Sequence, residues 1–210
     1  MQDASLATIT TLADRADDAA LAAWAARGDH KAFERLVRRH HRLLFRAARS
    51  ILRTDADAEA ALQQSALRAW QALARLPAGA RPAIWLLRIV VGEALARRHH
   101  GVAAAHPAPA ALTAPPAPRP EACALIEARI DALPEALRTV FVLRAIEALS
   151  VEEVAAALKL PEPTVSTRFL QARGLLHEAL TRDIEHALEQ VYSADSPHGE
   201  RSVAELMAQH

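Results

Sequence analysis

Between Thr164 and Arg173 the chain places six hydrogen-bond donors: Thr164, Ser166, Thr167, Arg168, Gln171 and Arg173. Wound as a helix, the segment puts them opposite an apolar stripe of Val165, Phe169, Ala172, Leu175 and Leu176. Hydroxyl, amide and guanidinium groups bond phosphate oxygens and the edges of bases. A second element precedes them. Ser150 with Glu153 forms a capping box, and Val151, Val154, Ala155 and Leu158 share one helical face. Lys159 to Glu162 break the pattern, and Pro163 suits the first turn of the next helix. Two short amphipathic helices around a tight turn, the second with a donor-rich face, read as a helix-turn-helix that binds DNA. Two helices of an ordinary bundle would show the same pattern.

The remaining chemistry is sparse. There is no phosphate-binding glycine loop and no dinucleotide fingerprint, and the six glycines are scattered. His40–His41 and His99–His100 are adjacent pairs, which a helix splays apart, and no paired cysteines or HExxH string accompany them. Asp55, Asp57 and Glu59 sit where carboxylates cap a helix and favour its dipole. Neither an enzyme, a metal nor a cofactor is therefore expected. The lone Cys123 forbids an internal disulfide and suits a reducing cytoplasm. No basic stretch leads into an apolar run near residue 1, and the apolar run Ile84–Val91 is short and broken by Arg88, so neither a signal peptide nor membrane insertion is expected.

Half the chain is apolar, mostly Ala and Leu, with few aromatics and no strand-like runs, so the fold class is all-α. Formal net charge is zero, but residues 30–100 hold 14 Lys/Arg against 5 Asp/Glu, whereas residues 181–210 hold 2 against 6. That basic block points to a polyanion or an acidic protein partner, or to a solvated helix face. The spacing predicts helices over residues 17–26, 31–53, about 57–76 capped by Asp55 or Asp57, and 83–99 buried through Ile84, Trp85, Ile89 and Leu95. Residues 101–122, with six prolines between 101 and 120, read as a flexible Pro/Ala-rich linker between two helical domains. These span residues 17–100 and 123–180, after a disordered 1–16 and before an acidic extension over 181–210. The second domain contains a helix from about Pro134 to Glu147. Helix continues past Leu180 to about Tyr192 and packs on that domain through Ile184, Leu188 and Val191, or else the acidic tail shields the basic block. Residues 193–199 read as loop and 200–209 as a short helix.

Five strings resemble the bacterial extracytoplasmic-function sigma factors of the sigma-70 superfamily. LAAWAARGDHKAFERLVRRHHRLLFRAARSIL resembles the family's first helices. DADAEAALQQSALRAWQAL resembles its DAED-LVQE-F-RAW segment through Asp57, Ala58, Glu59, Gln63, Leu67, Arg68, Ala69 and Trp70. IWLLRIV is similar to its TWLYRIA, LPEALRTVFVLRAIEALSVEEVA to the opening of its fourth region, and TVSTR to its TVKSR. The resemblance implies a region-two bundle that docks on core RNA polymerase and opens the downstream promoter element. It also implies a region-four helix-turn-helix that reads the upstream element of promoter DNA, and an anti-sigma partner. It places polymerase contacts at Asp57, Gln63, Gln64 and Arg68, and adds Trp85 and Arg88 to the DNA-binding set. The chain departs from the family pattern at Ala60, Gln64, Ala66, Pro82, Gly92, Lys159 and Thr167. Those departures keep a second reading open: a sigma-like protein that occupies an anti-sigma factor or polymerase without starting transcription.

Overall fold

A computed structural model describes residues 17–77, 79–101 and 121–192. The readings made for residues 1–16, for the linker between 102 and 120 and for 193–210 lie outside the described residues. Among the described residues all regular structure is helical, and no helix is long and apolar enough to cross a membrane.

Helix α1 covers residues 17–26 and ends at Gly28, whose φ of 97° a side chain would strain. Asp29 then caps α2 (His30–Leu52), its carboxylate accepting from Lys31 N at 2.9 Å and Ala32 N at 3.1 Å. Leu36, Leu44, Ala47 and Ile51 form the buried stripe of α2, with arginines on the other faces. Asp17 and Asp18 fasten α1 to α2 through Arg39, and Asp18 Oδ2 lies 2.7 Å from His40 Nε2. The Asp17 hydrogen bond raises the Arg39 guanidinium above its ordinary value.

Helix α3 (Asp55–Ala72) is capped by Thr54, which accepts from Asp57 N at 3.1 Å, and not by either aspartate. A 3₁₀ turn, Leu73–Arg75, closes it. Helix α4 (Pro82–Gly101) opens on proline, where the missing donor costs nothing. It is buried differently from the pattern expected. Leu86, Leu87, Val90, Val91 and Ala94 join Ile84 inside, while Trp85, Ile89 and Leu95 are only half-buried. The reason is that α4 packs against α2 and α3 on one side and against the second lobe on another, so it is apolar almost all round.

The second lobe begins with α5 (Glu121–Ala132), so helix starts inside the segment expected to be linker. Pro134 separates it from α6 (Glu135–Phe141). The helix expected to run to Glu147 instead widens into a π turn, Val142–Ile146, with Glu147 N donating to Val142 O at 3.0 Å. Helix α7 (Val151–Leu158) carries the capping box, and Lys159 closes it in the left-handed conformation, φ 55°. Helix α8 (Glu162–Tyr192) is the longest. Its packing ends near Asp183, whose carboxylate the Arg129 guanidinium holds below the usual range. Ile184, Leu188 and Val191, expected to pack, are exposed because no element of the described chain reaches that far along α8.

The two lobes are pressed together, and one cluster of buried residues runs through both. Arg138, 2% exposed, sits at the seam. Its Nε donates to Ser50 O of α2 at 2.7 Å, and its Nη1 donates to Asp131 O and Leu133 O at 3.0 Å each. Around it Arg46 pairs with Glu147 at 2.7 Å, Arg49 with Asp131 at 3.2 Å, Arg81 with Glu153 and Arg98 with Glu135. Replacing Arg138 by Met strands Ser50 O and Leu133 O in the seam, while Asp131 O keeps the Arg53 donor. We expect a loss of about 2–3 kcal/mol in urea unfolding, against well under 1 kcal/mol for Arg38→Met, whose pair with Glu34 is exposed.

Candidate nucleic-acid interface

The α8 donor face is built by what lies under it. Val165, Ala172 and Leu176 are buried, and Phe169 is half-buried against Phe141, ring centroids 6.2 Å apart. Leu175, expected in the stripe, lies outside it and is largely exposed. The stripe's register turns Ser166, Thr167, Gln171 and Arg173 into solvent, with Thr164 and Arg168 half-buried at its flanks. From Pro163 to His177 the helix carries no carboxylate, so nothing on this face repels phosphate.

Two residues that pattern reading passed over belong to the same surface. Leu170 is 65% exposed between the donors, an apolar group suited to a thymine methyl. An apolar residue set off the stripe was the available signal. Arg144, from the π turn, lies over the Phe169 ring at 5.4 Å, with Arg173 at 5.9 Å, and donates to Leu149 O. The cations thus brace Phe169, while the π turn brings Arg144 to α8.

Trp85 and Arg88 lie on α4, far from this face in sequence and on the other lobe. Arg88 is exposed and Trp85 half-buried, and both border a cleft of about 300 Å³ whose far wall is Glu152, Glu153 and Ala156 of α7. The Glu153 carboxylate serves two ends. One oxygen accepts from Ser150 N at 2.8 Å to complete the capping box, and the other meets Arg81 across the seam.

Comparison with known proteins places both lobes. Residues 36–100 match the family described as Sigma-70 region 2, and residues 123–176 match Sigma-70, region 4. SigM, an ECF RNA polymerase sigma factor of Mycobacterium tuberculosis, is 37% identical over 171 residues, covering 80% of this chain and 86% of its own. The chain belongs to the extracytoplasmic-function sigma factors. NccH, an RNA polymerase sigma factor of Alcaligenes xylosoxydans, is 33% identical over 79% of this sigma factor and 95% of its own length. Among solved structures, CnrH in complex with the cytosolic domain of CnrY superposes with a TM-score of 0.62 at 30% identity, covering 80% of this chain and 99% of that one. RpoE of Bartonella quintana with the anti-sigma factor NepR gives 0.59 at 20% identity, covering 72% and 98%, a likeness of fold.

In this sigma factor the residues expected to meet polymerase do not form one free face. Asp57 is exposed but accepts from Thr54 Oγ1. Gln63 is exposed beside Leu67, and Gln64 is half-buried. Arg68 pairs at 2.6 Å with Glu93, a carboxylate 5% exposed on α4 that also accepts from Arg97 at 3.0 Å. Arg68 therefore holds α3 to α4 as well as facing solvent. We expect Arg68→Ala to lose about 1 kcal/mol of stability, since Arg97 still satisfies Glu93 in part, while Gln63→Ala leaves thermal unfolding unchanged.

Proposed function

We propose that this sigma factor binds core RNA polymerase and directs it to specific promoters. Residues 17–100 dock and open the downstream element, residues 123–180 read the upstream one, the segment 101–122 joins them and 181–210 is an acidic extension. The observation that carries the reading is the α8 surface: donors in register, an exposed Leu170 among them, and no carboxylate over fifteen residues. Membership of a transcription-initiation family supports it. No step assigned to the chain is catalytic, and its place of work is with polymerase in the cytoplasm. An anti-sigma factor is a further partner, supported by the two solved relatives, both captured in complexes and one of them with an anti-sigma factor. The second reading, occupancy without initiation, is favoured by one observation: α7 covers one side of Trp85, where the resemblance puts the melted strand.

Reconstituted transcription with purified core polymerase separates the two. Promoter-specific transcripts that require the added chain support initiation, whereas polymerase binding without transcripts from any genomic template supports the second reading. Within the first, Gln171→Ala and Leu170→Ala each remove about 1–3 kcal/mol of discrimination at one base position, read by competition gel shift. Arg173→Ala weakens all sequences alike and lowers the salt slope by about one. Unchanged affinity in all three variants would remove α8 from the interface.

A further inference from the structure

Along the seam the arginines find partners, but at one end three cations do not. The side chains of Arg75 at the end of the 3₁₀ turn, Arg88 on α4 and Lys159 at the close of α7 make no hydrogen bond or ion pair among the described residues. All three line one cleft of about 340 Å³, together with Pro77, Trp85 and Ile89. Three like charges around a concave surface repel one another unless an anion joins them. Guanidinium and ammonium groups are the usual donors to phosphate, and the face of a tryptophan stacks flat rings. The size lies at the lower end of small-ligand sites, about 300–1,000 Å³. The carboxylates Glu152 and Glu153 border the neighbouring cleft on α7, so the anionic part of a ligand is favoured on the Lys159 side.

We propose that this cleft binds a free nucleotide, with its base on Trp85 and its phosphates among Arg75, Arg88 and Lys159. Arg75, Trp85 and Arg88 belong to the first lobe and Lys159 to the second, so the ligand bridges the seam and favours the closed chain. Its chemistry, phosphate with a base, is shared with a melted DNA strand. Lys159 distinguishes the two sources, because a strand captured by the first lobe alone has no need of it. Binding is measured on the chain by itself, so the outcome is independent of the promoter reading.

The test is calorimetric titration of the full chain with GTP and with inorganic tripolyphosphate at low salt. Lys159→Asn removes the charge and keeps a residue that tolerates the left-handed position, φ 55°. Saturable GTP binding is expected, about tenfold weaker in Lys159→Asn and in Arg75→Gln, unchanged in Arg35→Gln on the exposed face of α2, and tighter than tripolyphosphate. Small-angle scattering then reports a smaller radius with GTP than without. A short single-stranded oligonucleotide is expected to bind Lys159→Asn as well as it binds the parent. GTP affinity equal in the parent and in Lys159→Asn overturns the proposal. So does equal binding of tripolyphosphate and GTP, or a loss in Arg35→Gln as large as in the cleft variants.

Discussion

Arg138 carries a charge into the driest part of the seam, and the helix ends around it explain how. The last carbonyls of a helix have no partner within it and form the negative end of its dipole. Ser50 O lies in the last turn of α2, Asp131 O in the last turn of α5 and Leu133 O just beyond it, and Arg138 donates to all three. One guanidinium therefore satisfies the ends of two helices from different lobes. Burial lowers its pKa from the ordinary arginine value, and the nearby Arg53 pushes the same way, yet an arginine remains protonated throughout the physiological range. Arg53 adds a second link, donating to Asp131 O at 2.6 Å. The seam is thus a place where backbone termini meet, which fixes how α2 faces α5 and α6, and through them where α7 lies on α4.

Much of this was legible before any coordinates. The helix over residues 31–53, the Ser150–Glu153 box and the break that begins at Lys159 follow from local rules, and the structure keeps them. What was not legible depends on contacts distant in sequence. Alpha-helical periodicity cannot mark the π turn after Phe141, because the extra residue is accommodated by packing against α2 and α7. The register of α4 misled because a helix covered on several sides has no single apolar face. Ile184, Leu188 and Val191 repeat like a core stripe, but periodicity does not say whether a surface exists to receive it. In the candidate interface, the α8 face followed from spacing, whereas Arg144, Leu170 and the double duty of Arg68 needed the fold.

The seam also changes the meaning of the basic block. Residues 30–100 carry a large excess of cations, which by itself calls for an acidic partner. Part of that partner is in the same chain: Asp131, Glu135, Glu147 and Glu153 face Arg49, Arg98, Arg46 and Arg81. Four of the block's fourteen cations are thus paired across the lobes, and the rest leave it basic. Among the described residues, the side chains left uncompensated include Arg27, Lys31, Arg35 and Arg42, the three cleft cations, and Arg168 on α8.

A chain that reads two promoter elements at once must hold its lobes apart. Opening does not simply discard the seam. Each arginine that leaves a carboxylate is free to meet a phosphate, so one set of ion pairs is exchanged for another, and the electrostatic difference is small beside either set alone. Partly exposed pairs such as Arg49–Asp131 and Arg98–Glu135 suit such an exchange, since screening already weakens them. Arg138 does not, because its acceptors are carbonyls that water must solvate once the lobes part. The closed chain is therefore held by a dry contact that resists opening and ringed by wet ones that make opening nearly neutral in charge. A partner that opens it has to supply the apolar and hydrogen-bonding surface that α2, α4, α6 and α7 give one another here.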